Sequence, residues 1–162
     1  MKVEYLFSKN KHIGSRVISN MSSFITKGLD KYPSHVAVLL DDTFVIESTM
    51  LTGVRLIPYE QWKKINKELY KIPCERGDCP IFVIQELLFE MWGKKYDKLG
   101  LIWFGWQVFK YVAFKKSLPC KNEWEQEDKF FCTEFAGRLA GKNYSMTTPS
   151  EMLKGLLQDG KT

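Results

Sequence analysis

The stretch Ser34-His35-Val36-Ala37-Val38-Leu39-Leu40-Asp41-Asp42-Thr43-Phe44-Val45-Ile46-Glu47 decides the fold of this chain. Two β-rich runs, Val36 to Leu40 and Thr43 to Glu47, flank Asp41-Asp42 and predict a hairpin. The period-2 alternation of strands then sets the register. With a three-residue loop, Asp41 to Thr43, Ala37 pairs with Glu47, and His35, Ala37, Leu39, Val45, Glu47 and Thr49 share one face. The opposite face, Val36, Val38, Leu40, Phe44 and Ile46, is then wholly apolar. A two-residue loop would mix polar and apolar side chains on both faces, so the binary pattern selects the longer loop, although no glycine occupies the turn.

Working outward, Gly53 to Ile57 reads as a third strand, and Pro58 opens a short helix through Trp62. Glu68 to Ile72 is a further strand, closed by Pro73. Upstream, residues 15 to 29 predict a helix with Ser15 as its cap, one apolar face at Val17, Ile18, Met21, Phe24 and Ile25, and an end near Gly28. Downstream, Pro80 to Trp92 predicts a helix stopped by Gly93, with Lys94 to Asp97 as a connection. Leu99 to Phe114 reads as a buried or partly exposed helix, and 115 to 129 as an exposed polar loop. A helix begins at or near Cys132 and stops around Gly141, and a last one follows Thr148-Pro149-Ser150-Glu151. Hairpin-type links between strands, with helices on both sides in sequence, argue for an α+β fold on an antiparallel sheet. A doubly wound parallel sheet needs helical crossovers for which residues 36 to 57 leave no room.

Length and composition bound the remainder. At 162 residues, 44% hydrophobic and 27% charged, the chain suits one domain over 1–162 with a real core. The net charge of +5 comes from scattered Lys and Arg rather than a basic run, and no nucleic-acid module accompanies it, so no nucleic-acid partner is expected. No secretory signal is visible at the N-terminus, which predicts a cytoplasmic protein whose four cysteines are free thiols. Cys74 and Cys79 are spaced too widely for the common zinc knuckle and no second pair follows, so no metal is expected. The apolar run 99–114 is shorter than the ~20 residues of a membrane span and contains Gln107 and Lys110. Its aromatics at 103, 104 and 106 exceed what one core-facing stripe needs, which makes contact with a lipid or an apolar substrate the alternative to the favoured reading of a buried or partly exposed helix.

Chemistry gathers at three residues. In the three-residue-loop register His35 and Glu47 are diagonal neighbours, roughly 7 Å apart at the backbone, and a carboxylate there would orient the imidazole and stabilise its protonated form. Cys132 stands at the N-terminus of a predicted helix, where free N–H groups and the helix dipole favour thiolate and can stabilise an oxyanion. Taken singly, these residues read better as a surface ion pair at a strand end and an inert core cysteine.

Taken in order, the motifs Ser34-His35-Val36, Val45-Ile46-Glu47-Ser48-Thr49, Gly53-Val54-Arg55-Leu56-Ile57-Pro58 and Phe131-Cys132-Thr133-Glu134 resemble the circularly permuted branch of the NlpC-type papain-like cysteine hydrolases. The resemblance spans about positions 34 to 139. It implies a papain-like fold with Cys132 as nucleophile, His35 as base and Glu47 as the third polar residue, in an order reversed from papain itself. Tyr96-Asp97 is similar to a Tyr-Asp element of these proteins, which implies Tyr96 as a substrate contact. The Gly-Asp turn that often opens such domains is absent. The activity implied is a cofactor-free cysteine peptidase or amidase acting on a peptide, amide or acyl-ester substrate. Acyl transfer to another acceptor and a binding protein that merely keeps the fold are the alternatives.

Overall fold

The computed structural model describes residues 2–10, 13–78, 84–85, 89–92, 94–114, 129–140, 144 and 147–159. Its frame is a five-stranded antiparallel sheet. The strands are β1 (Lys2–Lys9), β2 (His35–Leu40), β3 (Phe44–Thr49), β4 (Gly53–Pro58) and β5 (Lys67–Asp78), in the order β4-β3-β2-β1-β5. The β2–β3 hairpin has the predicted register, with Val38 opposite Ile46, Leu39 opposite Val45 and Leu40 opposite Phe44. Asp41 and Asp42 supply the turn without glycine: their φ angles are 44° and 54°, a left-handed conformation that Asp tolerates better than most residues. The Thr43 N–H closes the turn on the Leu40 carbonyl at 2.9 Å.

The sheet is buried on both faces. On one, Tyr5, Phe7, Val36, Val38 and Ile46 pack against the helices α4 (Cys132–Ala140) and α5 (Pro149–Asp159), which contribute Phe135, Ala136, Met152 and Leu153. On the other, Leu6, Ala37, Leu39 and Val45 pack on Trp62 of α2 (Tyr59–Ile65). The two sets alternate along each strand, as the hairpin pattern requires. Two further helices are α1 (Ile13–Ile25) and α3 (Lys98–Phe114), which pack against each other, with α1 also touching α5.

Several elements differ from expectation. The N-terminal β1 is not anticipated, yet it is an inner strand, paired with β2 on one side and β5 on the other. Strand β5 continues through Pro73 to Asp78; proline is tolerated because β5 lies at the sheet edge. Ser15 lies inside α1 rather than capping it: its hydroxyl accepts from the Asn10 N–H at 2.9 Å and meets the Ser34 hydroxyl at 2.5 Å. Lys94 to Asp97 is not a plain connection, since Lys95–Tyr96 forms β6, a short parallel pair with β7 (Lys129–Phe130). The expected helix from Pro80 to Trp92 is helical at 84–85 and 89–91, while Pro80, Gly93, the 115–128 loop and Gly141 lie outside the described residues. Among the described residues no helix is long and apolar enough to cross a membrane.

Candidate active site

The site forms at the open end of β2, where the two layers of the sheet meet. Cys132 is the first residue of α4 and arrives with the helices on one face; His35 opens β2, and Glu47 lies on β3 with its side chain turned to the α2 face. The β2–β3 ladder runs only from Val38 to Leu40. Before it begins, the Val36 N–H is directed at the Cys132 sulfur, alongside the Thr133 N–H at the start of α4.

The three sequence-marked residues come together. His35 Nε2 and Glu47 Oε2 are 2.8 Å apart, and the same imidazole shares a side-chain hydrogen bond with Cys132. Because Nε2 is held by the carboxylate, the thiol meets the other ring nitrogen, Nδ1. Burial alone would lower the His35 pKa, but hydrogen bonds to Cys132 and Glu47 and their negative charge raise it to about 10. Burial likewise opposes the thiolate, and the His35 hydrogen bond and charge, with the Val36 and Thr133 N–H groups, pull the Cys132 pKa below the ordinary thiol range. The consistent state of the pair is thiolate with imidazolium.

Tyr96 joins the same sulfur. It is 7% exposed, stacks edge-on against Phe131 at 6.1 Å between ring centroids, and its hydroxyl shares a hydrogen bond with Cys132. Burial and the charge of Cys132 push its pKa well up, so the hydroxyl keeps its proton and donates to sulfur. Its placement depends on Gly53. There φ is +68°, the Val54 N–H bonds the Lys94 carbonyl at 3.0 Å, and any Cβ at residue 53 would overlap that carbonyl oxygen.

Arg55 and Trp62 complete the cluster, and neither is marked by the sequence as a site residue. Arg55 lies opposite Glu47 in the β3–β4 ladder and donates twice to Oε1, from Nε at 2.8 Å and Nη2 at 2.5 Å. Trp62 Nε1 donates to Oε2 at 2.9 Å from the far side. The 1%-exposed carboxylate thus accepts four hydrogen bonds. Burial would raise its pKa, but His35 and then Arg55 hold it at about 2. The register alone would have pointed to Arg55, since the residue directly across a ladder from a buried acid must answer its charge. Trp62 carries no such signal: its contact depends on how α2 folds back over the sheet.

The remaining thiol chemistry is modest. Cys74 is buried and donates to the Tyr5 hydroxyl at 3.6 Å, while Cys79 and Cys120 lie outside the described residues. Among the described residues no group of three His, Cys, Asp or Glu side chains is arranged to hold a metal ion. Compared with known proteins, the chain matches no family model, no curated protein and no solved structure.

Proposed function

We propose that this chain is a papain-like cysteine hydrolase of the peptidase or amidase type, working in the cytoplasm on an amide or ester bond. One observation carries the reading: a single imidazole links a helix-N-terminal cysteine to a carboxylate that four hydrogen bonds hold ionised. An inert core cysteine has no use for such an arrangement, and keeping it buried costs desolvation that only good pairing offsets.

In this mechanism the proton has left the thiol before substrate arrives. The Cys132 thiolate attacks the carbonyl carbon, a C–S bond forms, and the carbonyl oxygen gains negative charge. Donors that held the sulfur, the Thr133 N–H at the start of α4, the Val36 N–H on β2 and the Tyr96 hydroxyl, are then available to that oxyanion. In this reading Tyr96 is a substrate contact made at the reacting oxygen. His35 gives its Nδ1 proton to the departing amine or alkoxide as the C–N or C–O bond breaks, leaving an acyl-enzyme. Neutral His35 then takes a proton from water as its oxygen bonds the acyl carbon, the C–S bond breaks, and thiolate and acid product are released. Transfer to another acceptor replaces water in the second half and changes nothing else. Glu47 fixes the ring and stabilises its charge throughout, and neither metal nor organic cofactor is required.

p-Nitrophenyl acetate serves as a general acyl donor. The expected result is a burst of nitrophenol equal to the enzyme present, with an acetyl group on Cys132 detected by mass spectrometry, and no burst from Cys132→Ala. Modification of Cys132 no faster than that of the other cysteines would overturn the reading.

A further inference from the structure

The exposed side of α3 is not used by the chemistry above, and it is unusual. A helix packed on one side normally turns a polar face to water. On α3 the packed side includes Trp103, 3% exposed, and approaches α1 at Gly105, where a Cβ would sit 3.7 Å from Met21 Cε. The other side bares Leu99, Ile102, Trp106 and Phe109, each about half or more exposed, with Ala113 following in the same row and Phe114 at the helix end. The rings of Trp106 and Phe109 stack at 5.5 Å, and Phe109 meets Phe114 at 6.4 Å. At 3.6 residues per turn, Leu99, Ile102, Trp106, Phe109 and Ala113 fall within an arc of roughly 80°. Lys98 lies roughly 20° beyond one margin of that arc and Lys110 roughly 20° beyond the other. From Lys98 to Lys116 the sequence contains four lysines and no Asp or Glu.

We propose that α3 is a membrane-docking helix that lies in the surface of an anionic lipid bilayer, with this apolar row in the acyl boundary and its bordering lysines on the headgroups. An aromatic row edged by cations is the composition such interfacial helices use. The helix does not span: its 17 residues reach roughly 26 Å, short of the ~30 Å hydrocarbon core, and one side is already occupied by protein. Charge chooses the occupant. A second copy seated face to face would set Lys98 and Lys110 against the same cations on its partner, with no acid on the helix to answer them. Anionic headgroups complement both margins at once. This surface is independent of the thiol, so Cys132→Ala binds like the native protein.

The test is co-sedimentation of the full chain with vesicles of phosphatidylcholine alone and of phosphatidylcholine mixed with phosphatidylglycerol. Binding is expected to the mixed vesicles, weakened by salt, and to be much poorer on phosphatidylcholine. The double variant W106S/F109S, altered only at exposed positions, should lower the partition coefficient at least about tenfold. Lys98→Gln and Lys110→Gln should each lower it by about fivefold. Vesicles with brominated acyl chains should quench the native protein's fluorescence more than that of Trp106→Phe, a readout that needs no stability assumption. No binding to the anionic vesicles overturns the proposal, as does binding that W106S/F109S leaves unchanged. Light scattering that shows a dimer lost in W106S/F109S, with no vesicle binding, would assign the face to a second copy instead.

Discussion

At the scale of single residues, the site is a chain of dependencies that begins at Arg55 and ends at sulfur. Arg55 keeps Glu47 ionised, Glu47 keeps His35 charged, and His35 keeps Cys132 as thiolate. His35→Ala removes the imidazolium, so the Cys132 pKa should rise toward or above the usual thiol value. The iodoacetamide rate at neutral pH should then fall at least about tenfold. An unchanged rate would break the pairing. Activity in the native protein should rise as the thiol ionises below its usual range and fall again as His35 loses its proton near pH 10. Arg55→Met leaves a buried carboxylate without two of its four hydrogen bonds and should cost about 3 kcal/mol in urea unfolding. Arg55→Lys should recover only part of that, since a lysine cannot reproduce the forked contact from Nε and Nη2.

At the scale of elements, Gly53 is the position where fold and site are joined. Gly53→Ala places a Cβ in the Lys94 carbonyl at a left-handed backbone position, which should cost about 2 kcal/mol or more. The damage should reach the chemistry as well. Displacing Lys94 shifts Tyr96 two residues on, so acylation by p-nitrophenyl acetate should slow even in the fraction that remains folded; a variant of native rate would show that Tyr96 is not held from β4. The hairpin and the start of α4 were legible in the sequence because each is set locally. Alternation admits one register for Val36–Glu47, and the polar run before Cys132 leaves one place for a helix to begin. Strand β1 was illegible for the opposite reason. Its Glu4 and Ser8 look like solvent-facing positions, but both are buried, and the charge of Glu4 is met by Lys2 and by the distant Lys71, each at 3.1 Å. A polar residue answered from another strand leaves no local trace. Tyr96 was marked by its motif, but its bond to sulfur depends on β4, β6 and α4 assembling together.

At the scale of the molecule, the buried carboxylate ties stability to pH. The Glu47 pKa is about 2 in the fold against an ordinary 4.5, so its contribution is complete above pH 4.5 and is lost as pH falls through about 2. That difference corresponds to about 3 kcal/mol. Urea midpoints of the native protein should therefore fall between about pH 4.5 and about pH 2, and the fall should be much smaller in Glu47→Gln. An equal fall in both would place the acid sensitivity elsewhere. The position of β1 has a further consequence, in time rather than in energy. Residues 2–9 form an inner strand of the sheet, yet their β5 partners are Lys67–Asp78, and the thiol of the completed site comes only at residue 132. The β2–β3–β4 meander can close early on short loops, carrying His35, Glu47 and Arg55, whereas the long-range pairings that finish the sheet are slow to form. A chain grown only through that meander thus carries the base and its carboxylate with nothing to activate, and reactive sulfur exists only once residue 132 has been added.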